Sequence, residues 1–119
     1  MELMNEVLEG AGIDTAAGLR IVGGKADRYA RLLQKFADRQ GDTVNEIRAA
    51  LAGGDTETAE RAAHSLKGSA STLGVNGLAE CAAEAGIAIQ QGQGVDEALD
   101  TLSKSLSAVV FAIQEAITE

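Results

Sequence analysis

Apolar residues recur along this chain at intervals of three and four, block after block, and nearly every block stops at a glycine. That spacing is the period of an α-helix with one buried face. No stretch shows the period-two alternation that marks a strand. Proline is absent, so no position forbids a long helix. The 14 glycines supply the punctuation instead.

Residues 2–9 predict a short leading helix ending at Gly10 and Gly12. Asp14 suits the N-cap of a second short piece over about 15–22, stopped by Gly23 and Gly24. Tyr29, Leu32, Leu33 and Phe36 share one face of a helix from Lys25 to about Gln40, broken at Gly41. Val44, Ile47 and Leu51 predict a helix from Thr43 to Ala52, closed by Gly53 and Gly54. Asp55 caps the next, with Glu57 and Glu60 near its positive end. Ala59, Ala63, Leu66, Ala70 and Leu73 form its stripe, and Gly74 ends it. Leu78, Ala82, Ala85 and Ile89 mark a further helix, stopping near Gly92 or Gly94. Val95, Leu99, Leu102, Leu106, Val109, Ile113 and Ile117 mark the last, which is expected to run to the C-terminus.

Short links favour antiparallel neighbours. The expected fold is therefore all-α: an antiparallel four-helix bundle (up-down-up-down) over 25–119, with short additional N-terminal helices over 1–24. A chain of 119 residues has room for one such domain and one core. The apolar residues are mostly Ala, Leu, Ile and Val, and Tyr29, Phe36 and Phe111 are the only aromatics.

The formal net charge of −8 disfavours nucleic acid or an anionic membrane as partner, because binding phosphate needs basic surface. A protein partner is the default, and a monomer is expected. Cys81 stands alone and suits a reducing compartment. No apolar run approaches ~20 residues, and the acidic start MELMNEVLEG is unlike a signal peptide. A cytoplasmic location is expected. No metal-ligand set stands out.

His64 is the only histidine. On a wheel of about 100° per residue it points roughly 140° from the stripe centred on Ala63 and Leu66, toward solvent. Lys67, Gly68 and Ser71 follow at three, four and seven positions and share its face. A neutral imidazole, with an ordinary pKa near ~6.5, is an available nucleophile at neutral pH. Lys67 would pair with a phosphoryl charge. Gly68 gives up about 1 kcal/mol of helix propensity relative to Ala, which clearance for a docking partner would explain. Ser69 and Ser71 keep the surroundings small. A lone exposed histidine is more often a solvated side chain, and a mid-helix glycine equally serves close helix packing. The residues alone leave both readings open.

The run Ala63-His64-Ser65-Leu66-Lys67-Gly68-Ser69-Ala70, followed by Leu73-Gly74, resembles the signature of the histidine phosphotransfer (HPt) family. Ile13-Asp14, Gly18-Leu19, Gly24, Tyr29, Leu32-Leu33, Phe36, Gly54-Asp55 and Leu78-Ala79 extend the likeness in order over about 13–92. The resemblance implies a phosphorelay module. His64 accepts phosphoryl, usually on Nε2, from a receiver-domain aspartate and passes it to another receiver. Lys67 aids charge neutralisation, Gly68 gives docking clearance, and Ser65 and Ser71 belong to the docking surface. The partners implied are response-regulator receiver domains, with fusion to a hybrid histidine kinase an open arrangement. The domain brings no cofactor of its own, Mg²⁺ being supplied by the receiver, and it is a phosphocarrier rather than an enzyme. Where many members carry Leu followed by Glu or Gln to orient the histidine ring, this chain has Ala85-Gly86, with Glu84 or Gln90 as possible substitutes.

Two other classes compete. One is a docking domain whose His64 is never phosphorylated. The other is the dimerisation and phosphoacceptor domain of a histidine kinase, which usually has an acidic residue where Ser65 follows His64.

Overall fold

Two aspartate side chains fix the starts of two helices. In the computed structural model, which describes residues 2–118, Asp14 accepts from the Ala17 N–H at 3.0 Å and opens α2. Asp55 accepts from the Thr58 N–H at 3.1 Å and opens α5, and the Thr58 hydroxyl donates to its second oxygen at 2.6 Å. Each cap satisfies an N–H that the first helical turn would otherwise leave without a partner. The hydroxyl and backbone N–H of Thr58 hold the Asp55 carboxyl below its ordinary range.

The described elements are β1 (Glu2–Leu3), α1 (Asn5–Gly10), α2 (Thr15–Ile21), α3 (Ala26–Gln40), α4 (Thr43–Ala52), α5 (Thr56–Thr72), α6 (Asn76–Gln91), α7 (Val95–Ala116) and β2 (Ile117–Thr118). α3 and α4 do not fold back on each other. Gly41 keeps right-handed helical angles (φ −58°, ψ −27°), and its N–H donates to the Ala37 carbonyl as a continuing helix would. The two helices therefore follow one another end to end, separated by a turn at Gly41–Asp42 where Asp42 leaves the helical region (φ −105°, ψ 8°). At 1.5 Å per residue, residues 26–52 span about 40 Å, which matches the 42 Å long dimension of the molecule.

α5 packs between α4 and α6, α6 between α5 and α7, and α7 returns against α3 and α4. Links of three residues leave no length for a crossover, so consecutive packed helices reverse direction. The result is a helical bundle, as the sequence predicts, with α1 and α2 at one end. Leu33, Ile47, Leu66, Leu78, Leu99, Leu102 and Ile113 are fully buried inside it. Ala59, Ala63, Ala70, Ala82 and Ala85 are buried along α5 and α6, and such small side chains let helix axes approach closely.

One polar contact inside the core clamps the end of α5. The Tyr29 ring is completely buried, and its hydroxyl donates to the Leu73 carbonyl at 2.7 Å. Burial, reinforced by the nearby Asp14 charge, pushes the phenol up to about 12. Gly18 lies against this ring so closely that a Cβ there would overlap it. The Asp14 N–H donates to the Gly74 carbonyl at 2.8 Å. Gly74 has φ +82°, and a Cβ on it would run into the Asp14 carbonyl. Only glycine meets both conditions without strain. These contacts tie α2 and α3 to the end of the helix that carries His64.

Three expectations are corrected. Residues 2–9 are not one helix: Glu2 and Leu3 are extended and pair antiparallel with Thr118 and Ile117, and the Met4 N–H donates to the Ala116 carbonyl at 2.7 Å. For the same reason the last helix stops at Ala116, and Ile117 is extended (φ −102°, ψ 118°). A two-residue ladder is too short to leave an alternating pattern. Leu32, expected on the core face of α3, is 37% exposed.

Candidate functional site

The middle of α5 has two opposite faces. Ala63, Leu66 and Ala70 are fully buried, whereas His64, Ser65, Lys67, Gly68 and Ser71 are exposed. The α-helical period therefore drives one set into the core and turns the other outward. His64 sits near the centre of a 17-residue helix whose start is capped by Asp55 and whose end is held by Tyr29. Among the described residues, no hydrogen bond or ion pair engages the imidazole. Both ring nitrogens are open to an incoming group.

His64 stands on a ridge between two solvent-open grooves. On the α3 side, a groove of about 570 Å³ is lined by His64, Ser65, Gly68, Ser69 and Thr72 of α5 and by Leu32, Lys35, Phe36 and Arg39 of α3. On the α6 side, a groove of about 440 Å³ is lined by His64, Lys67, Glu57, Glu60 and Arg61 with Gly86, Ile87 and Gln90. Both are large enough to seat side chains of a partner protein.

The residues singled out from sequence divide between these grooves. Ser65 and Gly68 share the α3-side groove with His64, Lys67 shares the α6-side groove, and Ser71 is exposed but lines neither. At Gly68 a Cβ would meet nothing within 4 Å. Close packing within this chain therefore does not explain the glycine. The Gly68 carbonyl accepts from the Thr72 hydroxyl at 2.9 Å, so the backbone there is ordinary helix.

Across the second groove, Ala85 is buried and Gly86 faces the same space as His64. A Cβ on Gly86 would lie 3.9 Å from that of Ala63, an ordinary contact. α6 is unbroken through this position. Gly86 is therefore neither forced by close packing nor a point of lost structure. Gln90 lines the groove and Glu84 does not, so Gln90 is the nearer substitute for an orienting group.

Sequence reasoning missed the contribution of α3. Leu32, Lys35, Phe36 and Arg39 form the opposite wall of the first groove. Ile87, 53% exposed, adds an apolar rim to the second. Helical periodicity shows that Lys35 and Arg39 point away from the core of α3, but it does not say which neighbour they face. Among the described residues, no group of three His, Cys, Asp or Glu is placed to hold a metal ion. None of the described helices is long and apolar enough to cross a membrane.

A comparison with family models matches the Hpt domain over residues 31–117. That span runs from α3 to β2 and takes in both grooves and His64. No curated protein and no solved structure matches the chain.

Proposed function

Because this chain belongs to the Hpt domain family, we propose that His64 is its phosphoacceptor, taking phosphoryl from a receiver-domain aspartate and giving it to another. At family level the activity is histidine phosphotransfer in phosphorelays, carried out by a phosphocarrier without a kinase site of its own. The observation that carries the assignment to His64 is its place: an exposed imidazole without internal partners, on a ridge between two grooves, beside a glycine with open space above it.

The step balances as a substitution at phosphorus. The lone pair of one ring nitrogen, expected to be Nε2, forms the N–P bond while the bond from phosphorus to the aspartyl oxygen breaks. The carboxylate leaves with the electron pair, and the proton on the other ring nitrogen stays or passes to water. The reverse step on a second receiver regenerates the free ring. Positioning supplies most of the rate, and the receiver supplies Mg²⁺ through its own acidic pocket. Lys67, exposed on the α6 side of the ridge, offers a cation to the transferred group. Ser65 and Gly68 keep the α3 side low enough for the receiver to close over the ring.

Incubation with a radiolabelled phospho-receiver tests this assignment. The chain should take up acid-labile, alkali-stable label, and His64→Gln should take up none while melting like the wild type. Label that persists in His64→Gln, or a wild type that never labels, would overturn it.

A further inference from the structure

We propose that the cationic face of α3 is a docking surface for the carboxylate-rich face surrounding a receiver's phosphorylated aspartate, placing that partner on the α3 side of His64 rather than the α6 side. This rests on His64 being the phosphoacceptor and adds where the partner sits.

The chain carries a net charge of −8, yet α3 gathers Arg28, Arg31, Lys35 and Arg39 on one side. At 100° per residue these four fall within an arc of about 80°, opposite the buried Leu33 and Ala37. All four are exposed. The ion pairs among the described residues are Arg48–Asp100 at 2.8 Å and Arg61–Glu57 at 3.7 Å, and neither involves this stripe. Arg31 with Lys35, and Lys35 with Arg39, are like charges at i, i+4, an arrangement that weakens an isolated helix. Asp27 and Asp38 flank the stripe on α3, but among the described residues neither comes within 4.0 Å of its cations. A partner of opposite charge would offset the repulsion.

The stripe is continuous with the site. A shallow groove lined by Val22, Arg28, Arg31, Leu32 and Lys35 shares Leu32 and Lys35 with the groove that holds His64. The α3-side groove has Lys35 and Arg39 and no carboxylate in its wall, whereas the α6-side groove mixes Glu57 and Glu60 with Arg61 and Lys67. Leu32, 37% exposed, gives the cationic surface an apolar edge to bury. A duplex or an anionic bilayer would meet acidic surface on most other sides of this chain, but a receiver needs only the patch beside its own acidic pocket. Complementary charge at such a patch acts mainly on the rate of encounter and falls with salt.

The test uses the full chain and a receiver charged from radiolabelled acetyl phosphate. Initial transfer rates are compared for wild type, Arg28→Glu/Arg31→Glu and a control with a single charge reversal on α7, Lys104→Glu. Measurements are made at about 25 mM and about 500 mM salt, between which the screening length shrinks from about 20 Å to about 4 Å. The double variant should transfer about tenfold more slowly at low salt, with the gap closing at high salt. Lys104→Glu should stay within about twofold of wild type, being off the docking face. Wild-type transfer by the double variant at low salt would overturn the proposal alone. Equal slowing by Lys104→Glu would do the same, because net charge would then suffice. Binding of wild type to duplex DNA or anionic vesicles that is lost in the double variant, with transfer unchanged, would reassign the stripe. A wild type that takes no label would remove the phosphoacceptor assignment together with this surface.

Discussion

Gly68 separates what the fold wants from what docking wants. It lies inside α5 with ordinary helical backbone and open space where a Cβ would stand. Replacing it with Ala or Gln therefore meets no obstacle within the chain and recovers most of the ~0.8–1 kcal/mol by which glycine disfavours a helix interior. For a domain of this length that gain raises the midpoint of thermal unfolding by about 3–5 °C. The same Gln places a flexible side chain over the α3-side groove next to His64, where a receiver would approach on the proposed function. Gly68→Gln should therefore melt higher than wild type and accept phosphoryl at least about tenfold more slowly, a barrier increase of about 1.4 kcal/mol. Gly68→Ala should gain the stability and lose far less transfer. Thermal melts by circular dichroism and initial transfer rates from a phospho-receiver check the pair. A Gly68→Gln protein that melts lower would show that the glycine serves the fold. One that melts higher and transfers normally would show that clearance at this position is irrelevant.

Tyr29 provides a pH test, because it is the only tyrosine in a chain without tryptophan. Its phenol lies at 10 when unfolded and is raised to about 12 in the fold, so the fold favours the protonated form. The stabilisation is complete below pH 10 and is lost as pH rises through about 12; a phenolate absorbance titration inflecting near 10 in the folded protein would refute the buried hydroxyl bond. Gly86→Gln should raise stability by about 0.5–1 kcal/mol and speed transfer by giving the His64 ring a partner across the groove. A lowered melting temperature would contradict the open contact with Ala63. Lys67→Ala should slow transfer several-fold with the melt within about 2 °C of wild type, and unchanged kinetics would remove Lys67 from the chemistry.

Helix boundaries were legible where a local device sets them. Asp14 and Asp55 cap where capping chemistry places them, and the glycines at 53–54, 74 and 92–94 stand where the chain turns. The face presented by His64 followed from the period of α5 alone. What escaped was everything that depends on a distant neighbour. The pairing of Glu2 with Thr118 joins segments at opposite ends of the sequence. Gly41 ends α3 as expected, but its right-handed angles carry the chain through Asp42 into α4 without the reversal that the other glycine links make. Leu32 fits the apolar stripe of α3 by spacing, but the stripe is wider than the surface α5 and α7 cover, and this edge is left lining a groove. The second wall of the His64 site comes from such neighbours, so half of the site could be named from sequence and half could not.

The strand pair has a practical consequence for anyone handling this protein. The polypeptide enters and leaves the bundle side by side, at the pole where α5 ends and α6 begins. His64 is about 13 Å along the helix axis from that pole, facing sideways. A purification tag, a fluorophore or a whole fused domain attached at either terminus therefore hangs from one spot and leaves the flank of the rod bare. Tension applied through both termini would peel the short ladder first, like a zip opened from its end.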